Sequence, residues 1–134
     1  MNYLFVCTGN TCRSPMAQCL MTRLSGENCQ SAGLYAAVGQ SASPGAVNAM
    51  AALGLDLSGH RSQPVTAELL DWADRVWAMT EGHLHALKQM FPQYTSKFHV
   101  FDPPVPDPFG GDDALYQMTA LALWDQLSQI TAKP

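Results

Sequence analysis

The sequence predicts a three-layer α/β sandwich around a four-stranded parallel sheet. Three observations point there. Four short strand-like runs alternate with segments whose apolar residues recur every three or four positions. Glycine and proline stand at the boundaries between them. One run, Val76-Trp77-Ala78-Met79, is apolar without interruption, as a strand covered on both faces must be. Strands separated by helices pair in parallel through right-handed crossovers, which sets helices on both sides of the sheet.

Residues 2–6, rich in β-branched and aromatic side chains, form the first strand and stop at a glycine-containing loop, residues 7–13. Ser14 and Pro15 read as the cap and first position of a helix that carries Ala17, Leu20, Met21 and Leu24 as far as Gly26. A short strand over 29–32 ends at Gly33, and Ser43-Pro44 opens a second helix with Ala46, Val47, Met50 and Leu53 up to Gly54. Thr66 starts a brief helix through Leu69, Leu70 and Trp72. The strand at Val76–Met79 leads to Thr80-Glu81, the cap of a helix containing Leu84, Leu87 and Met90. Residues 97–101 make the fourth strand. Residues 102–111 hold four prolines and two glycines, which neither a helix nor a central strand tolerates, so they form a stiff surface loop. A last helix over about 112–131 presents Leu115, Met118, Ala122, Leu123, Leu127 and Ile130 as its apolar face.

Composition excludes several kinds of function. Of 134 residues, 47% are hydrophobic and 13% charged, enough to give one domain, 1–134, a core and too little chain for two. Seven Lys and Arg against eleven Asp and Glu leave a formal charge of −4, which offers no footprint for nucleic acid or an anionic membrane. No apolar run approaches the roughly 20 residues of a spanning helix, and the first residues lack the pattern of a signal peptide. Cys7, Cys12, Cys19 and Cys29 all fall in the first quarter of the chain, whereas a disulfide scaffold would spread them, so free thiols in a reducing cytoplasm are expected. There is no C-x-x-C pair, and His83 and His85, two apart on a helix, face different ways. Neither a metal nor a cofactor is therefore expected.

The residues that carry chemistry lie between the first strand and the first helix: Cys7-Thr8-Gly9-Asn10-Thr11-Cys12-Arg13-Ser14. A C-x5-R pattern alone is a weak signature, since a cysteine in the core, an arginine on the surface and a Gly-Asn turn are each commonplace. Its setting makes it specific. A loop of this length at a helix N-terminus can converge its backbone N–H groups on one anion, with glycine allowing an unusual turn. Arg13 adds a planar fork of donors for phosphate oxygens. A cysteine at the strand end beneath that electropositive focus is placed as a nucleophile, because the thiolate is the reactive form and such surroundings favour it. Ser14 can donate a hydrogen bond to it.

Cleaving a P–O or P–N bond also needs an acid, because the leaving group departs poorly unless protonated. Asp107, on the proline-rich loop and followed by Phe109-Gly110-Gly111, suits that role, with Phe109 as an aromatic wall of the substrate cleft. Asp102 is the rival on the same loop, and Phe109 has a second reading as a hydrophobic anchor.

From Val6, the run V-C-T-G-N-T-C-R-S-P-M-A resembles the low-molecular-weight protein tyrosine phosphatase family, whose motif is C-x-G-N-x-C-R-S-P. The resemblance continues in order through Ser31-Ala32-Gly33, Leu57-Ser58-Gly59-His60-Arg61-Ser62, Ala73-Asp74-Arg75-Val76-Trp77-Ala78-Met79 and Asp107-Pro108-Phe109. It implies a flavodoxin-like sheet and a metal-free, two-step phosphatase that passes through phosphocysteine, takes a phosphorylated protein and releases inorganic phosphate. Cys7 is then the nucleophile, Arg13 the phosphate clamp, Ser14 the hydroxyl that stabilises the thiolate and Asp107 the general acid. Thr8, Gly9, Thr11 and Cys12 complete the phosphate loop, and Asn10, steadied by His60, holds its shape.

Departures from the family pattern narrow the substrate. Thr8 replaces the more usual Leu or Val, Thr11 an Ile, Leu34 a Thr, Thr80 an Asp and Phe109 a Tyr. A branch of the family, the bacterial protein arginine phosphatases, resembles this sequence in having C-T-G-N-T-C-R-S and D-P-F-G-G, which tilts the expectation toward phosphoarginine. Phosphotyrosine is the alternative. A thiol switch joining Cys7 to Cys12 is a more distant one, in which Arg13 and Asp107 have no role.

Overall fold

The central strand decides the layering. In this computed structural model, which describes residues 1–132, β1 (Asn2–Cys7) is buried from Tyr3 onward and its side chains alternate between two cores. Tyr3, Phe5 and Cys7 join a cluster with Met16, Leu20, Met50, Leu123 and Leu127, while Leu4 and Val6 join one with Leu70, Val76 and Leu87. Around β1 follow α1 (Arg13–Ser25), β2 (Asn28–Gly33), α2 (Pro44–Ala52), α3 (Ala67–Trp72), β3 (Arg75–Ala78), α4 (Glu81–Met90), a 3-10 helix (Pro92–Lys97), β4 (Phe98–Val100) and α5 (Asp113–Ala132). The strands form one parallel sheet in the order β2-β1-β3-β4, with Cys7 opposite Gly33 and Val6 opposite Ala78. α1, α2 and α5 cover one face and α3 and α4 the other, so the three-layer sandwich expected from the sequence is the architecture observed.

Local chemistry sets most boundaries. The Thr66 and Thr80 hydroxyls accept the Leu69 and His83 amides at 3.2 and 3.3 Å, which caps α3 and α4. Pro44 occupies the first turn of α2 after Ser43.

Three expectations need correction. The first helix begins at Arg13 with Cys12 at its N-cap, not at Ser14; the Ser14 hydroxyl is engaged by Cys7 and Asn10 instead, and Pro15 fits because first-turn amides have no helical partner. The fourth strand is shorter than 97–101, since Pro92–Lys97 winds into a 3-10 helix. On α5 the buried stripe is Tyr116, Thr119, Ala120, Leu123 and Leu127, leaving Leu115, Met118 and Ala122 exposed.

One glycine joins the sheet to the loop after β1. A Cβ on Gly33 would lie 2.6 Å from the Thr8 carbonyl oxygen and 2.9 Å from the Asn10 amide nitrogen, whereas one on Gly59 would meet nothing within 4 Å. Gly33→Ala should therefore destabilise the protein by about 1–3 kcal/mol, the usual cost of overpacking, while Gly59→Ala stays near neutral. Denaturant unfolding of both variants checks this, and equal stabilities would contradict the close packing of β2 against the loop.

Candidate active site

With strand order β2-β1-β3-β4, the chain leaves β1 toward one side of the sheet and β3 toward the other, so their loops part at the carboxyl ends and open a crevice. A cavity of about 230 Å³ occupies it. Its wall contains Cys7, Thr8, Gly9, Thr11, Cys12 and Arg13, and the proline-rich loop contributes Asp107 and Phe109. A larger cavity of about 500 Å³ lies on another flank of α1, among Cys19, Leu55, Asp56 and His60, and takes no side of its wall from the loop after β1. Chemistry, not size, singles out the smaller one.

The turn of the loop rests on Asn10. Gly9 was expected to supply the unusual backbone, but the residue in the left-handed region is Asn10, at φ 57°, a conformation asparagine tolerates better than most side chains. Asn10 is fully buried, and three hydrogen bonds fix it. The Gln63 amide donates to its side-chain oxygen at 3.0 Å, its side-chain nitrogen donates to Ser14 Oγ at 2.9 Å, and His60 Nε2 donates to its carbonyl at 2.7 Å. Because a backbone N–H can only donate, the first of these settles which end of the amide faces Ser14. Burial, with a smaller contribution from the Arg61 charge, lowers the His60 pKa against the opposing pull of the Asn10 carbonyl, so the ring is neutral near pH 7.

Ser14 passes this arrangement on to Cys7. Its oxygen accepts from Asn10, so its single proton is free for Cys7 Sγ at 2.9 Å, the shorter of its two remaining contacts; the Ala32 carbonyl is 3.5 Å away. A buried sulfur thus has a hydroxyl donor aimed at it from the first turn of α1.

Arg13 is also buried, at 5% exposure, and its Nη1 donates to the Val105 carbonyl at 3.0 Å. Val105 is itself held by its amide on the Met79 carbonyl, so the arginine and the proline-rich loop are tied to the same strand end. Arg13 Nη2 lies 3.7 Å from Asp107 Oδ2. The Asp107 carboxylate is half exposed and accepts the Phe109 amide at 3.0 Å, while Phe109 is 74% exposed at the cavity mouth and so anchors nothing. Asp102 lies outside the cavity, its amide bonded to Gln126.

Four residues at the site were not singled out from the sequence for it. Gln63 holds Asn10, as described. Ser43 Oγ and Tyr116 OH flank Cys12 Sγ at 3.2 and 3.4 Å, and burial first, then the Cys12 contact, raises the Tyr116 pKa, so the phenol keeps its proton. His83 Nε2 lies 2.9 Å from Thr8 Oγ1. For His83 a signal was present: it follows the capping Thr80 by three residues, which sets it in the first turn of α4, facing the same crevice as the loop after β1.

Known proteins resemble this arrangement along almost the whole chain. The family model for low molecular weight phosphotyrosine protein phosphatase matches residues 2–133. A protein-arginine-phosphatase of Geobacillus stearothermophilus is 41% identical over 123 residues, covering 85% of this chain and 82% of its own. A probable low molecular weight protein-tyrosine-phosphatase, EpsP of Ralstonia solanacearum, is 38% identical over 128 residues, covering 95% and 86%. Among solved structures, that of the YwlE arginine phosphatase with its active-site cysteine replaced by a phosphorylated serine superposes with a TM-score of 0.94 at 36% identity, covering 98% of this chain and 94% of the other. This chain therefore belongs to the low molecular weight phosphotyrosine protein phosphatase family and is a protein phosphatase, a hydrolase.

Proposed function

We propose that the protein removes phosphate from phosphoarginine in proteins, in two steps through a phosphocysteine on Cys7. The carrying observation is that the Cys7 sulfur, the Arg13 guanidinium, the Asp107 carboxylate and Thr11 surround a single cavity of about 230 Å³. In the first step the Cys7 thiolate attacks phosphorus while Arg13 and the backbone N–H groups of the loop hold the non-bridging oxygens. Asp107, half exposed in the wall of the same cavity, protonates the departing nitrogen. In the second step Asp107 takes a proton from water as the water attacks phosphocysteine, and inorganic phosphate leaves. Asn10, His60 and Ser14 hold the loop and the sulfur, Thr8, Gly9, Thr11 and Cys12 line the anion site, and Phe109 flanks the substrate.

Arginine is favoured over tyrosine by Thr11 in the cavity wall and by the names of relatives such as that of Geobacillus stearothermophilus. Relatives named for tyrosine supply the second reading. We take residues 1–134 as one phosphatase domain, on the strength of a family match over 2–133; residues 133–134 lie outside the described structure. Four free thiols favour a cytoplasmic setting, and no helix among the described residues is long and apolar enough to cross a membrane. The net charge of −4 speaks against a nucleic-acid partner.

Cys7→Ser should keep phosphate binding and lose turnover, because an alcohol is not ionised near neutral pH while the loop donors persist. Calorimetry with inorganic phosphate beside a turnover assay checks this, and an active serine variant would overturn the mechanism. Asp107→Asn should slow hydrolysis by roughly 10²–10⁴ on a protein substrate and much less on an activated aryl phosphate, with Asp102→Asn mild. A crippled Asp102 variant would move the acid to the other end of the loop. For the substrate, Thr11→Ile should cost phosphoarginine kcat/KM about tenfold or more while sparing phosphotyrosine, since the guanidinium N–H groups lose an acceptor and meet added apolar bulk. A parallel fall on both substrates would mean that Thr11 only shapes the loop, rejecting the arginine reading and leaving the tyrosine one standing.

A further inference from the structure

We propose that His83 is a positioning residue that aims the Thr8 hydroxyl proton at the bound phosphate. The inference rests on the phosphatase reading above and adds a donor to the anion site that the loop backbone and Arg13 do not supply.

The geometry is a relay of two hydroxyls across one imidazole. His83 is buried, with Nε2 2.9 Å from Thr8 Oγ1 and Nδ1 3.1 Å from Thr80 Oγ1. Both ring nitrogens therefore meet an oxygen, which fixes the ring's orientation and leaves only the location of its proton to settle. Burial, and next the Arg13 charge, push the His83 pKa down to about 4 against a smaller opposing effect of Asp107, so near pH 7 the ring carries one proton.

Counting donors decides which nitrogen holds it. Thr80 Oγ1 already accepts the His83 amide as the cap of α4. A proton on Nδ1 would bring a second donor to that oxygen and leave the Thr80 proton without a use in the cluster. A proton on Nε2 lets Thr80 donate to Nδ1 and lets the ring donate to Thr8. Thr8 Oγ1 then has its own proton to spare, and Thr8 lines the cavity beside Cys7 and Arg13. All three bonds run the same way, Thr80 to His83, His83 to Thr8 and Thr8 to the anion, so each polarises the next and a dianion at the end favours this tautomer. A leucine or valine at position 8 would have no hydroxyl to turn, so the relay needs the threonine found here.

Thr8→Val keeps the side chain's shape and removes the hydroxyl. It should weaken inorganic phosphate binding, measured by calorimetry, about tenfold, as expected for one hydrogen bond to a charged group. KM for the phosphorylated protein should rise likewise, with kcat changing less than about threefold. His83→Leu should give the same loss, and the double variant no further loss beyond about twofold, because both act through one bond. Nitrogen NMR of the unmutated protein should show Nε2 protonated with phosphate bound. Unchanged phosphate affinity in Thr8→Val, multiplying losses in the double variant, or a proton on Nδ1 would each overturn the proposal, and the first and last do not depend on His83→Leu folding. Phosphate binding that follows Thr8 and His83 in a protein that hydrolyses no phosphoprotein would sustain this inference and overturn the function proposed above.

Discussion

The buried left-handed turn at Asn10 is the constraint on which the site depends. A side chain at φ 57° is held there by three partners, His60 and Gln63 from one distant segment and Ser14 from the first turn of α1, which satisfy its amide and carbonyl together. That turn lies within the loop joining β1 to α1, whose Cys7, Thr8, Gly9, Thr11 and Cys12 line one cavity together with Arg13. The bond from Asn10 to Ser14 also decides where the serine proton goes, and so links loop shape to the sulfur. Loop shape and the hydrogen bonding of the Cys7 sulfur are here one network.

The two layers of helices hold this network from opposite sides. On one, α1 supplies Arg13 and Ser14, while Ser43 ahead of α2 and Tyr116 of α5 enclose Cys12. On the other, α4 brings His83 to Thr8. The proline-rich loop crosses between them, pinned by buried Val105 and bonded to Arg13, with Asp107 and Phe109 projecting at the mouth. Arg13 and Asp107 are thus set relative to each other through the Val105 carbonyl, with the Asp107 carboxyl left half exposed.

How much of this could be read from the sequence follows from the range of each interaction. The order of strands and helices was legible because Gly26, Pro44, Thr66 and Thr80 act within a turn of where they stand. The C-x5-R loop, with Asn10, Ser14 and Asp107, was legible as a motif. His83 with Thr8, Tyr116 with Cys12 and Gln63 with Asn10 were not, being 75, 104 and 53 residues apart, distances over which no local pattern reports a partner. The face of α5 was misread for a different reason. Leu115, Met118 and Leu121 make an apolar stripe that stays exposed, while the buried stripe includes Tyr116 and Thr119, whose hydroxyls are satisfied by Cys12 and by the Leu115 carbonyl.

The central claim is that phosphate passes through the Cys7 sulfur, and trapping it there is the direct test. The enzyme should be quenched in acid during turnover of a phosphoarginine-bearing protein, digested, and the phosphorylated peptide identified by mass spectrometry. The account predicts phosphate on Cys7 in the unmutated enzyme and none on the Cys7→Ala variant. Phosphate on another residue, or none on the enzyme while substrate is consumed, would contradict it.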